Sequence, residues 1–199
     1  MKEEREKNMS EKIVVCLEKG GARDMAEAFS RRTNTPISEK PGRKAIDATA
    51  GMGEDGFLLA AQGYEVTLYE QNPVIAVLLK DALRRAKKHP VLKEIAARMK
   101  LTEGNSVELM PALLDSVDVI YLDPMFPARQ KSSLINKKLQ LIQKLEPPCS
   151  QETDLFDAAI SAKPDKIIVK RPLKSEFLAG RKPSYTLSGK AIRYDCYTL

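Results

Sequence analysis

The segment that most constrains the fold is Asp47-Ala-Thr-Ala-Gly-Met-Gly-Glu-Asp-Gly56, because of what flanks it. Lys44 to Thr49 is a strand-length run, and Glu54 to Gln62 is a helix-length run with its acids in front. Glycines between a strand and a helix let the backbone turn sharply, with no Cβ in the way of an approaching group. The alternation then repeats. Glu65 to Glu70 reads as a strand and Pro73 to Lys88 as a long helix, with Pro in the first turn where its missing N–H costs little. Arg98 to Glu103 reads as a strand, Ser106 to Leu114 as a short helix, and Val117 to Leu122 as an apolar strand. Leu134 to Leu145 and Glu152 to Ala162 are helical, and Lys166 to Lys170 is another buried strand. Such alternation implies right-handed crossovers and a parallel sheet covered on both faces. Ser184 to Leu187 and Ala191 to Tyr197 are strand-like around Ser188-Gly189-Lys190, which makes an antiparallel hairpin. The fold class is therefore α/β, Rossmann-like, with a mainly parallel sheet that ends in an antiparallel hairpin.

The main domain is expected over 42–199. Ahead of it, Met1 to Lys12 is almost wholly polar, which fits neither a signal peptide nor an anchor. Ile13 to Cys16 reads as a short strand and Ala22 to Arg32 as a helix. Thr33 to Arg43 reads as a linker, by its Pro36, Pro41 and Gly42. Residues 1–41 are thus expected to be a tail with a short helical extension. No apolar run approaches the length of a membrane span. Cys16, Cys149 and Cys196 are odd in number and far apart, which argues against a disulfide framework and fits a reducing cytoplasm. The single histidine, His89, has no companion at ligand spacing, so no metal site is expected.

The glycines of the first junction satisfy a dinucleotide pattern, and Glu70 ends the next strand 19 residues after Gly51. A carboxylate at that point is placed to accept both hydroxyls of a ribose. Two details favour S-adenosylmethionine over NAD. Asp47, just before Gly51 and Gly53, is a carboxylate for the cationic amino-acid end of the cofactor. Glu54 and Asp55 stand where a pyrophosphate would sit; acids there suit the helix dipole and repel phosphate. The terminal hairpin agrees, since class I methyltransferases end their sheet this way. Gly104-Asn105-Ser106 follows the third strand, where such a fold meets adenine. Asn105 is equally suited to a base edge and to a helix cap.

Tyr121-Leu-Asp-Pro-Met-Phe126 ends the fourth strand. An aromatic amine is a poor nucleophile, because its lone pair is delocalised into the ring. Methylating it needs two acceptors that hold the NH₂ and a flat wall for the base. Asp123 accepts one N–H, the carbonyl of Pro124 the other, and Phe126 is the wall; the proline preorganises the turn. A base in a duplex would have to be flipped out to reach them. Asp47 to Gly56 with Tyr69-Glu-Gln-Asn-Pro73, Tyr121 to Pro127 with Lys131-Ser132, and Val169-Lys-Arg-Pro172 together resemble the small-subunit ribosomal RNA guanine-N2 methyltransferases of the J type. The resemblance runs from about residue 42 to the C-terminus. It implies a class I fold and methylation of a guanine N2 in 16S rRNA of the small ribosomal subunit. It also implies S-adenosylmethionine as donor and a bacterial cytoplasm. Longer members carry a more extensive region ahead of the cofactor domain, which would help to choose the RNA target.

Charge points the same way. Residues 1–122 hold 19 basic and 19 acidic side chains, whereas residues 123–199 hold 14 and 8. The whole excess thus follows the amine clamp, which suggests a polyanionic substrate. Arg129 and Lys131, with Lys137 and Lys138 beyond them, and Lys170 and Arg171 at the end of the fifth strand would meet RNA phosphates at the sheet edge where such folds bind ligands. Two rival readings are a non-catalytic RNA-binding module on the same fold and an NAD-linked oxidoreductase. The first ignores the coexistence of glycine loop and clamp; the second leaves the clamp unexplained.

Overall fold

The computed structural model describes residues 42–125 and 152–199. Its strands are β1 (Lys44–Asp47), β2 (Glu65–Glu70), β3 (Met99–Glu103), β4 (Val119–Leu122), β5 (Lys166–Pro172), β6 (Tyr185–Ser188) and β7 (Ile192–Thr198). The helices are α1 (Glu54–Ala61), α2 (Pro73–Ala86), α3 (Lys93–Ala97), α4 (Ser106–Leu109) and α5 (Glu152–Ser161). The anticipated elements at residues 13–16, 22–32 and 134–145 lie outside the described residues.

One sheet has the order β3-β2-β1-β4-β5-β7-β6. The first five strands in that order are parallel, and β7 runs antiparallel between β5 and β6. β4 and β5 show why the sheet is central. Successive side chains point to opposite faces, and both faces of these strands are apolar. Val119, Tyr121 and Ile168 join a core with Leu59 of α1 and Leu79 and Leu83 of α2. Ile120, Leu122, Ile167 and Val169 join a second core with Met110 and with Leu155 and Phe156 of α5. Burying a side chain of this size contributes about 1.5–3 kcal/mol, so the two faces hold the helices on opposite sides of one sheet.

Tyr69-Glu-Gln-Asn-Pro73 is an organised junction. Asn72 accepts hydrogen bonds from the N–H of Val74 (3.0 Å) and of Ile75 (3.3 Å), which caps α2, and Pro73 occupies its first turn. Two short elements are absent from the sequence expectations: α3, and a 3-10 turn at Leu178–Gly180. The helix anticipated over Ser106 to Leu114 is one α-turn followed by a 3-10 turn, Met110–Ala112, because Pro111 withholds an amide donor.

Candidate active site

The carboxyl ends of β1, β2, β4 and β5 meet the start of α1 at one edge. Gly51 has φ +52° and open space where a Cβ would stand, while Gly53 has φ +76°. At Gly53 a Cβ would lie 2.7 Å from Leu79 Cδ1. So Gly53 serves the packing of the loop on α2, and the space for a ligand is at Gly51. Gly56 lets α1 press onto the sheet: a Cβ there would overlap Leu68 and stand 3.2 Å from Asp47 Oδ2.

Glu70 is buried, and its two oxygens tie the glycine loop after β1 to the junction between β2 and α2. Oε2 accepts the Gly51 N–H at 2.8 Å and Oε1 the Asn72 N–H at 2.7 Å. A carboxylate has about four lone-pair sites, so Glu70 is fixed in orientation and keeps capacity for two more donors. Asn105 Oδ1 accepts the Val107 N–H at 3.0 Å; of its two open roles, the helix cap is present. Ser106 is buried beside it.

Asp47 is 1% exposed at the end of β1. Burial, then the neighbouring Asp55 carboxylate, pushes its pKa up to about 8, against the Thr49 N–H that it accepts at 3.2 Å. A buried carboxylate with this much uncompensated cost is suited to a cationic partner. That is the fit expected for the ammonium of an S-adenosylmethionine amino-acid end, and Glu70 beside open space at Gly51 fits its ribose. The residues present therefore fit the cofactor.

Asp123 follows β4. Its N–H donates to Thr49 Oγ1 at 2.7 Å, and its Oδ2 lies 2.9 Å from Lys170 Nζ. The same ammonium lies 2.7 Å from Asp55 Oδ2, which also accepts the Tyr121 hydroxyl at 2.8 Å. Burial and the Asp55 charge push the Asp123 carboxyl upward, with Lys170 pulling the other way. Burial works against the Lys170 ammonium, but Asp123 and Asp55 more than offset it, and its pKa is raised. Tyr121 is driven upward by burial and then by Asp55 and Asp123, so it stays neutral and donates.

The structure thus brings together Asp47, Gly51, Gly53, Glu70, Asp123 and Pro124 from the sequence expectations. Phe126, Arg129, Lys131, Lys137 and Lys138 lie outside the described residues. Two assignments need correction. Lys170 does not present its ammonium to solvent but bridges two carboxylates, with its side chain 24% exposed. Arg171 is buried: its Nε donates to the Glu176 carbonyl at 3.0 Å and its Nη1 pairs with Glu152 at 2.9 Å. Neighbouring strand residues face opposite ways, so both guanidinium and ammonium are spent on the protein itself. Asp55 and Tyr121 were not foreseen as members of the site. By sequence Asp55 is an obstacle to phosphate at the helix start; in the fold its side chain meets partners 66 and 115 positions away, which no local pattern announces. Among the described residues no group of His, Cys, Asp and Glu could hold a metal ion, and no helix is long and apolar enough to cross a membrane.

Comparison with known proteins bears on this geometry. Residues 11–199 match the family model described as "Putative SAM-dependent methyltransferase". A Pseudomonas aeruginosa protein named Ribosomal RNA small subunit methyltransferase J is 47% identical over 164 residues, which are 81% of this chain and 63% of that protein. A Neisseria gonorrhoeae protein of the same name is 38% identical over 182 residues, 90% of this chain and 70% of its own. The chain thus spans less than two thirds of the Pseudomonas relative's length. A crystal structure of a SAM-dependent methyltransferase from Neisseria gonorrhoeae superposes with a TM-score of 0.72 at 37% identity, covering 90% of this chain and 68% of that one. The fold is that of class I methyltransferases, and the chain belongs to the SAM-dependent methyltransferase family that includes the ribosomal RNA small subunit methyltransferase J proteins.

Proposed function

We propose that this chain transfers a methyl group from S-adenosylmethionine to the exocyclic N2 amine of a guanine in small-subunit (16S) ribosomal RNA. The observation that carries the reading is the juxtaposition of Asp47 and Asp123. Their strands are paired in parallel, with Asp47 opposite Tyr121, so the donor loop and the amine acceptors open on one sheet edge. The family and the names of its relatives support the reaction and the RNA.

In this reading Asp47 receives the amino-acid end of the donor and Glu70 the ribose hydroxyls, with Gly51 and Gly53 shaping the loop. Asn105 and Ser106 flank the adenine; they stand beyond β3, whose Glu103 is in register with Glu70. The bound cofactor supplies an activated methyl on a sulfonium. Asp123 accepts one N–H of the amine, the Pro124 carbonyl accepts the other, and Phe126 stacks on the base. Holding both N–H bonds favours a tetrahedral nitrogen, whose lone pair is freed from the ring. The proton leaves toward Asp123 after attack, so no strong base is required.

The RNA contact is assigned to Arg129 and Lys131; Lys170 and Arg171 leave that set for the reasons above. The test is to incubate small subunits from cells lacking the protein with methyl-labelled S-adenosylmethionine, and then to map rRNA fragments by mass spectrometry. A new methyl on a guanine N2 is expected. Its absence, or a methyl elsewhere, sinks the reading and favours an RNA-binding module. Lys131→Ala should also reduce the log–log salt slope of RNA binding by about 1, and Arg171→Ala should leave it unchanged.

A further inference from the structure

We infer that Lys170 is the positioning residue for Asp123: it anchors one carboxylate oxygen so that the other faces the target amine as an acceptor. The inference rests on the proposed role of Asp123. Its ground is the way that the aspartate is held. The backbone N–H is fixed by Thr49 Oγ1, and Oδ2 by the Lys170 ammonium. Among the described residues Oδ1 takes no hydrogen bond. Lys170 is itself held, because Asp55 Oδ2 accepts both its ammonium and the Tyr121 hydroxyl. The chain Tyr121–Asp55–Lys170–Asp123 thus runs from the helix side of the sheet to the clamp.

The charges around Asp123 explain why an anchor is needed. Asp47 comes from β1, Asp55 from α1 and Tyr121 from β4, with Tyr194 of β7 next to that tyrosine. Among the described residues Arg171 is the other cation that acts on Asp123, and it is committed to Glu152 and the Glu176 carbonyl. Without Lys170, burial and the Asp55 charge would favour the protonated form of Asp123. A carboxylic acid presents an O–H where an amine needs a lone pair, so the clamp would face its substrate with the wrong polarity. A lysine serving RNA phosphate would instead keep its ammonium in solvent.

The experiment compares the full chain with Lys170→Met and Lys170→Arg. Carbon-13 NMR of the Asp123 carboxyl gives its titration midpoint, and single-turnover methyl transfer is followed against pH. Lys170→Met should raise the midpoint by about 1–3 pH units, and Lys170→Arg should bring it back toward the parent. At neutral pH the methionine variant should transfer methyl on the order of 10²-fold more slowly, recovering as pH rises, with cofactor affinity near the parent's. An unchanged midpoint would overturn the inference. So would a methionine variant faster than the parent, because Lys170 would then be occupying the place of the amine. If the parent itself transfers no methyl, the proposed function fails, and the titration alone still decides whether Lys170 sets the charge of Asp123. If Lys170→Met does not fold, Lys170→Gln takes its place in the same comparison.

Discussion

At the amino edge of the sheet Arg43 and Lys44 meet Asp118 and Asp115; at the carboxyl edge Lys170 meets Asp55 and Asp123, with the buried Asp47 close to both carboxylates. At the first edge the charges match one for one. Lys44 Nζ lies 2.8 Å from Asp115, the Lys44 N–H donates to Asp118 at 2.7 Å, and the Arg43 guanidinium covers the Tyr64 ring at 4.8 Å. The hydrogen bond from Lys44 holds the Asp115 carboxyl below its ordinary range. At the second edge one ammonium pairs with two carboxylates, Asp55 and Asp123, and among the described residues Asp47 has no ion pair; burial, then the Asp55 charge, pushes Asp47 to about 8. Neutralised pairs tie strands together; a deficit of positive charge is what a cationic donor and an N–H-rich substrate would fill. The same residue types do both jobs, and burial with the local charge count separates them.

The strongest way to break this contrast is Asp123→Ala. Losing one preorganised polar partner should slow single-turnover methyl transfer on the order of 10²–10³-fold while cofactor affinity is retained. A rate near the parent's would remove Asp123 from the chemistry. Next is Glu70→Ala, which should weaken cofactor binding by about 2–3 kcal/mol through two lost hydrogen bonds to a charged acceptor. It should also lower the melting temperature, since the Gly51 and Asn72 N–H groups lose their acceptor. Calorimetry showing unchanged affinity would withdraw the ribose assignment.

A third test uses pH. Because the Asp47 pKa is raised from 3.8 to about 8, the folded protein keeps a proton that the unfolded chain has already released. Stability of the ligand-free protein should therefore fall as pH rises from about 4 to about 8, by at most about 1.4 kcal/mol per pH unit from this group. Asp123, also raised, adds in the same direction. Urea denaturation at several pH values should show this slope in the parent and a shallower one in Asp47→Asn. Equal slopes would mean that Asp47 ionises freely. The smallest effect belongs to the other edge. Asp115→Asn removes an exposed, screened pair and should leave activity and melting temperature essentially unchanged. A marked loss of either would show that the amino edge is not merely structural.

The residues of the parallel half were legible because each local signal agrees with the global fold. β2 spans Glu65–Glu70 as read, since its apolar residues alternate and its ends are marked by Gly63 and by the Asn72-Pro73 cap. The junctions after β1 and β4 were legible because glycine and proline carry their backbone geometry with them. The roles of Lys170 and Arg171 were not legible. Position at a strand end says that a side chain is near the site, but alternation sends Lys170 toward Asp123 and Arg171 toward Glu152 on α5. The hairpin could be read from its turn, yet β7's insertion between β5 and β6 could not. That order depends on which strand edge is left to pair once the parallel strands have packed.

By itself the sequence determined an α/β architecture, a glycine-rich junction after the first strand and an Asp-Pro turn after the fourth, because periodicity, glycine and proline act within a few residues. Only the tertiary structure decided which charges meet. Asp55, Tyr121, Asp123 and Lys170 are separated by up to 115 positions, and they act together because two strands end and a helix begins at one edge. Partial burial there weakens the screening by water, so their ionisation is a property of the fold and not of any segment.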